Sequence, residues 1–402
     1  MSKIFRVWGD VIHDSRGDPT VQVSVQTDNN IVGSAAIPAG ASKGLFEAAI
    51  VETGLAVKNI TEFIEPALRG VEITDQRLID QKMIELDGTN NKSKLGANGI
   101  LGVSMAAARS GAKSTNQELY RYIAELDDRN SFAIPIPMFN LINGGKHATN
   151  NLDIQEFMVV PDRIAGYHNQ LSAGQLIFST LGQILDGDHI SRSFGDEGGY
   201  APNLDTNELA CDYLVRAIKD SGYKKWEEVS LGLDVAASNV PPTFDMTPSR
   251  YLGFLQDFPI LSLEDPFPEE SWEDWSKFLL QMEKSIATDK KILLIGDDLY
   301  VTNPQRLQRG IDEKSTNAIL IKLNQIGSVS ETMTVMEMAR TSGMVTIVSH
   351  RSGETLDDFI ADFAVGMGAQ FIKSGAPNEA HQERMTKYRR LLTIERQLLT
   401  PQ

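Results

Sequence analysis

VSLGLD (229–234), PILSLE (259–264), ILLIGD (292–297), NAILIK (317–322), VTIVSH (345–350) and AQFIK (369–373) are six apolar runs, each ending on a polar, chemically capable residue. Their ends are 30, 33, 25, 28 and 23 residues apart. That interval holds one strand, one helix and two loops. It is the rhythm of a parallel β/α barrel, in which strand C-termini face a common mouth. Asp234, Glu264, Asp297, Lys322, His350 and Lys373 are therefore expected to converge there. Gathered acids repel one another unless a cation neutralises them, so a divalent metal is the expected occupant.

A β/α barrel takes roughly 250 residues. The chain has 402, which leaves room for a second domain. Residues 4–36 read as three strands, FRVWGDVIH, TVQVSVQT and IVGSAAI, joined by turn-rich DSRGDP and DNN in an antiparallel meander. A Gly/Ala/Ser loop, PAGASKG (38–44), follows. Helical patterns then cover 45–57, 59–67, 74–85, 97–115 and 117–126. The polar, then Pro-rich stretch 127–137 marks the boundary. The expected architecture is α/β: an N-terminal α+β capping domain, 1–132, and a C-terminal β/α barrel, 133–402. MFNLIN (138–143) opens the barrel, and helices follow near 164–185 and 205–221. The last helix, 379–399, carries Arg and Lys pairs expected on a solvated face.

Composition narrows the partners. A net charge of −16 disfavours nucleic acid and anionic membrane surfaces. A small anionic substrate stays compatible if local cations reverse the field. The single cysteine, Cys211, lies in a helical stretch and is read as core rather than as a catalytic thiol. One cysteine permits no internal disulfide, which predicts a reducing compartment. The N-terminus lacks the apolar segment of a signal peptide, and no apolar run reaches membrane-spanning length, so a cytoplasmic protein is expected.

Three hard oxygen donors on successive strand ends, Asp234, Glu264 and Asp297, suit Mg²⁺. Their neighbours Asp265 and Asp298 fit capping or supporting roles better. Lys322 is open to three readings: an ion-pair partner, a counter-charge, or a general base whose pKa nearby cations bring down. His350, Arg351 and Ser352 offer phosphate- or carboxylate-binding chemistry, or simply a capped βα turn. Glu197, set among glycines in GDEGG, and Glu156, in IQEF, could share a proton as a carboxyl pair.

Taken together, DSRGDPTVQV, LDGTNNKSKLGAN, NGGKHATNN, IQEFM, GDEGGYAPN, SLEDPF, GDDLYVTN, IKLNQIGS, SHRSGET and FIKSGAP resemble the signatures of the enolase (phosphopyruvate hydratase) family, in order and over nearly the whole chain. The resemblance implies a capped, enolase-type barrel beginning with an irregular ββαα arrangement. It also implies a glycolytic lyase interconverting 2-phosphoglycerate and phosphoenolpyruvate. On that resemblance Lys322 is the base at C2 and Glu197 the acid at C3, with Glu156 and His147 in support. Asp234, Glu264 and Asp297 hold the tighter Mg²⁺. Gln155, Arg351, Ser352 and Lys373 contact substrate, and His350 lines the site. A second Mg²⁺ and a homodimer or higher homo-oligomer are implied in the same way.

The chain also departs from the family. The first lid loop usually carries a serine where Ala39 stands and a threonine where Lys43 stands. The segment between AASNVPP and DFPI is short, and NEAHQERMTKYRR differs from the usual arginine-bearing tail. These changes leave open a second activity: an enolase-like paralogue resembling a carboxyphosphonoenolpyruvate synthase of phosphonate biosynthesis.

Overall fold

The structure is a computed structural model and describes residues 2–40, 44, 46–241, 243–285 and 291–400. Lys43, one of the two divergent lid positions, lies outside the described residues.

The N-terminal strands β1 (Ile4–His13), β2 (Pro19–Thr27) and β3 (Val32–Ala36) form the expected antiparallel sheet in that order. Asp14 shapes the first turn: its Oδ1 accepts from the amides of Arg16 (2.9 Å) and Asp18 (3.0 Å). The Ala-rich helix Ala97–Ser114 packs on this sheet. Contact is so close that a Cβ at Gly33 would lie 2.4 Å from the Ala106 carbonyl oxygen, so only glycine fits. The expected helix over 45–57 is not formed as such. It starts at Thr53, where the Glu52 carboxylate accepts from the amides of Gly54 and Leu55. Before that point the chain is pinned to the barrel side, the Ala48 amide donating to the Gln325 carbonyl at 2.8 Å.

Residues 127–135 hold neither helix nor strand. The barrel follows: β4 (Ile136–Asn143), β5 (Glu156–Val160), β6 (Ser230–Asp234), β7 (Ile260–Glu264), β8 (Leu293–Gly296), β9 (Ala318–Ile321), β10 (Val345–Ser349) and β11 (Phe371–Lys373). The ring closes in the order β10-β11-β4-β5-β6-β7-β8-β9. β5 is antiparallel to both neighbours and the other pairings are parallel. Helices Tyr167–Gly187 and Asn207–Asp220 come between β5 and β6, so the barrel does begin ββαα. Met138, Met158, Leu261, Leu293, Ile295, Leu320, Ile347 and Phe371, drawn from strands around the ring, make an apolar cluster of their own. Strand alternation carries that inner face two residues on, from Ile295 to Asp297, Leu320 to Lys322 and Phe371 to Lys373.

The two domains are tied by ions and backbone. Arg109 pairs with Asp357, and with Asp358 at 2.7 Å. Lys92 Nζ lies 2.9 Å from Glu331 Oε1. Ala39 and Gly353 exchange both backbone hydrogen bonds at 2.8 Å. Cys211 is fully buried, and burial pushes its thiol well above the usual range. Among the described residues no helix is long and apolar enough to cross a membrane.

Candidate active site

The six strand-end residues do meet at one rim. β6, β7 and β11 end on Asp234, Glu264 and Lys373, while Asp297, Lys322 and His350 directly follow β8, β9 and β10. Because β5 is inverted, its first residue, Glu156, joins them and pairs in register with Asp234. Gln155, just before it, donates its backbone amide to the Asp234 carbonyl and sets Nε2 3.4 Å from Asp234 Oδ2.

Two lysines divide the acids. Lys373 Nζ lies 2.8 Å from Glu156 Oε2, 2.9 Å from Glu264 Oε2 and 3.8 Å from Asp234 Oδ2. Lys322 Nζ bonds Asp297 Oδ2, whose Oδ1 accepts from Gln325 Nε2 at 2.9 Å. Asp265 accepts from the amides of Asp297 (3.1 Å) and Asp298 (2.7 Å).

Electrostatic stress is plain in this cluster. Burial, then Glu264, drives Asp234 well above the usual carboxylate range. Burial likewise raises Glu264 to about 7, although Lys373 opposes it. Burial and Asp297 raise Asp298 to about 7. Burial pushes Asp297 up, yet Lys322, Gln325 and Lys373 together hold it below its usual value. Acids in this state are ready for a divalent cation, and oxygen-only donors suit Mg²⁺. Among the described residues, two groups of three bring ligand atoms within 4.8 Å of one another: His147–Glu156–Glu197 and Asp265–Asp297–Asp298. Of the expected ligands only Asp297 belongs to either group, since Asp234 and Glu264 turn toward Lys373.

Lys322 departs from expectation. Burial, Arg351 and Lys373 pull its pKa down, but Asp297 and Glu264 together more than offset them and the amine stands above its usual value. A cation engaging Asp297 would remove that hold.

Across the mouth lies a carboxyl pair. Glu197 is 2 % exposed. Its loop depends on glycine: a Cβ at Gly195 would lie 2.6 Å from the His147 carbonyl oxygen, and Gly198 has φ +79°. Asn140 Nδ2 donates to Glu197 Oε2 at 2.9 Å. His147 Nδ1 stands 3.5 Å from Glu197 Oε1 and 3.8 Å from Glu156 Oε1. Burial lowers His147 to about 4, so the ring between the acids is neutral at neutral pH. Burial and Glu197 raise Glu156, which favours a proton held within the pair.

The anion-binding turn follows β10. Arg351 is buried, with Nη1 2.8 Å from Asn324 Oδ1 and Nη2 3.2 Å from Glu47 Oε1. Ser352 lines the same pocket. His350 Nε2 is 3.3 Å from Glu197 Oε1. Burial and Arg384 hold its pKa well below the usual value.

Sequence reasoning missed Asn140, Arg384 and Lys387. It also misplaced the charges of the last helix (Gln382–Leu399): Arg384 is 0 % and Lys387 1 % exposed. Lys387 Nζ donates to Glu354 Oε2 at 2.6 Å, and Glu354 Oε1 accepts from the Arg351 amide. Helical spacing of basic residues gave no hint of this, because it also fits a solvated face. A larger cleft, of about 560 Å³, opens between Ser15 and Asp357. Asp14, Glu354, Asp357, Asp358 and Glu383 line it, but no lysine does.

Fold and mouth together define a capped β/α-barrel protein whose acidic clusters are compatible with Mg²⁺. The family described as the enolase N-terminal domain matches residues 4–123, and the enolase C-terminal TIM barrel domain matches 131–247 and 242–401. The chain belongs to the enolase family, a membership that suggests a lyase-type enzyme.

Proposed function

We propose that this protein is a Mg²⁺-dependent lyase interconverting 2-phosphoglycerate and phosphoenolpyruvate. One observation carries the reading. β9 and β5 are four places apart in a closed ring of eight strands, so Lys322 and Glu156 stand diametrically opposite. A substrate lying between them would present its C2 hydrogen to one side and its C3 hydroxyl to the other.

Lys322 Nζ takes the C2 proton. The Glu197–Glu156 pair gives its proton to the departing C3 oxygen, and water leaves as the C2–C3 double bond forms. Arg351 exchanges Glu47 for the substrate phosphate, with Ser352 beside it, and Lys373 faces the substrate carboxylate. Asp234, Glu264 and Asp297 would hold Mg²⁺, whose charge stabilises the electron-rich carboxylate formed when C2 loses its proton.

Purified protein with Mg²⁺ and 2-phosphoglycerate should raise ultraviolet absorbance as the conjugated enol ester forms. A flat trace at high enzyme concentration would remove this reading. Ala39 favours a second one, since it offers the lid no hydroxyl and its carbonyl already accepts from Gly353. On that reading the same barrel chemistry serves a phosphonate-bearing relative of the substrate. Turnover of the phosphonate with none of 2-phosphoglycerate would decide for it.

We also propose a homodimer. Phe5 (56 % exposed) and Val11 (51 %) lie on β1, the edge strand of the small sheet, and give it exposed apolar surface. Sedimentation of the intact protein tests it.

A further inference from the structure

We propose that Arg384 is a positioning residue: it fixes the proton of His350 on Nε2, facing Glu197, and locks the Arg351–Ser352 turn to the Glu197 loop. The kinetic part of this inference rests on the lyase reading above, and the tautomer part does not.

The guanidinium is fully buried, and its two terminal nitrogens reach four acceptors from two loops. Nη1 reaches His350 Nδ1 and the Arg351 carbonyl, both at 2.6 Å. Nη2 reaches the Ser352 carbonyl at 2.5 Å and the Asp196 carbonyl at 2.9 Å. Arginine has donors only, so His350 Nδ1 must be the acceptor. A neutral imidazole accepting at Nδ1 carries its hydrogen on Nε2. That nitrogen is the one 3.3 Å from Glu197 Oε1. The backbone makes room for this arrangement. Gly375 has φ +76°, and a Cβ there would lie 2.5 Å from the Glu197 carbonyl oxygen and 3.1 Å from Arg384 Cδ.

A guanidinium is suited to this task and an ammonium is not. Its fork is planar and rigid, so one group can span the acceptors on both sides. A lysine would retain the charge and lose the span. Arg384 thus couples the loop that carries the acid to the turn that carries the anion-binding arginine, and touches neither substrate atom nor metal.

The test begins with the unaltered protein, free of substrate and added metal and labelled with ¹⁵N-histidine. Long-range ¹H–¹⁵N correlation spectra should show His350, assigned by His350→Asn, as a neutral ring with hydrogen on Nε2 alone. Hydrogen on Nδ1 overturns the proposal, whatever any variant does. In Arg384→Met the Arg351 and Ser352 carbonyls lose the guanidinium as a donor, and hydrogen should appear on Nδ1. A ring unchanged in that folded variant also overturns it.

Arg384→Lys keeps the charge and is the variant to use if the methionine protein does not fold. It should lose kcat by about a hundredfold or more. Arg384→Ala should regain at least about tenfold of its lost kcat with millimolar guanidinium, and nothing with ammonium. Full activity in Arg384→Lys, or equal rescue by both ions, counts against the proposal. If the tautomer is as stated and no substrate is turned over, the positioning stands and the lyase reading falls.

Discussion

Lys373 Nζ lies 2.9 Å from Glu264 Oε2 although the two residues end strands on opposite sides of the barrel ring, β11 and β7. The bond spans the mouth, and Lys373 also reaches Glu156 at 2.8 Å. With Asp234 at 3.8 Å, one ammonium therefore offsets acids from three other strands, in a place where unpaired charge is costly. Lys373→Met should cost about 3–5 kcal/mol of stability in metal-free protein, because it strands buried carboxylates. Mg²⁺ should return part of that loss. Urea denaturation with and without Mg²⁺ measures both, and a change under 1 kcal/mol (about fivefold in the folding constant) would show that the acids are already protonated and need no partner.

Lys322 is the proposed base. Lys322→Gln should lower kcat by about 10²–10⁴, the range for loss of a positioned proton-transfer group. Exchange of the C2 hydrogen of substrate with deuterated solvent should fall in step. Exchange continuing at the original rate in the variant would assign the base elsewhere.

The acid cluster predicts a pH signature. Glu264 stands at about 7 in the folded protein, raised by burial from 4.5. A raised carboxyl pKa means that the folded state binds the extra proton. Its stabilising contribution is complete below pH 4.5 and is lost as pH rises through 7. Metal-free protein should therefore lose stability between those values. Mg²⁺ competes with protons for the same oxygens, so its shift in Tm should be larger at about pH 8 than at about pH 6. Calorimetry at the two pH values checks this, and a Mg²⁺ shift independent of pH speaks against the carboxylate site.

Arg109 holds the cap to the barrel through Asp357 and Asp358. Burial pushes the Asp357 carboxyl up, but Arg109 with the amides of Ala36 and Phe359 holds it below its usual pKa. Arg109→Gln should destabilise the protein by about 3 kcal/mol, since a buried acid loses its partner. Limited proteolysis should then cut the cap first. Unaltered denaturation and cleavage would mean that backbone pairing such as Ala39–Gly353 suffices.

The barrel, and which strand ends gather at its mouth, are legible in the sequence. The strand ends repeat at a near-constant interval, and a repeated pattern survives uncertainty at any single element. The ends at Asp234, Glu264 and Lys373 match to the residue, and Asp297, Lys322 and His350 follow their strands directly. The helix expected over 45–57 fails for a local reason. Contacts with the barrel side hold the chain out of helix up to Glu52, and such long-range bonds leave no mark in a short window of sequence.

What the sequence alone determined is which residues share the mouth, because strand period and strand length are local properties of the chain. Which of them face one another was settled only by ring closure and by the inversion of β5. That closure sets Lys322 opposite Glu156 and Lys373 against Glu264. Tertiary packing alone also buried Arg384 and Lys387: a basic residue on a helix carries no sign of which face will be covered, and the carbonyls that satisfy these two come largely from the turn after β10 and the Glu197 loop.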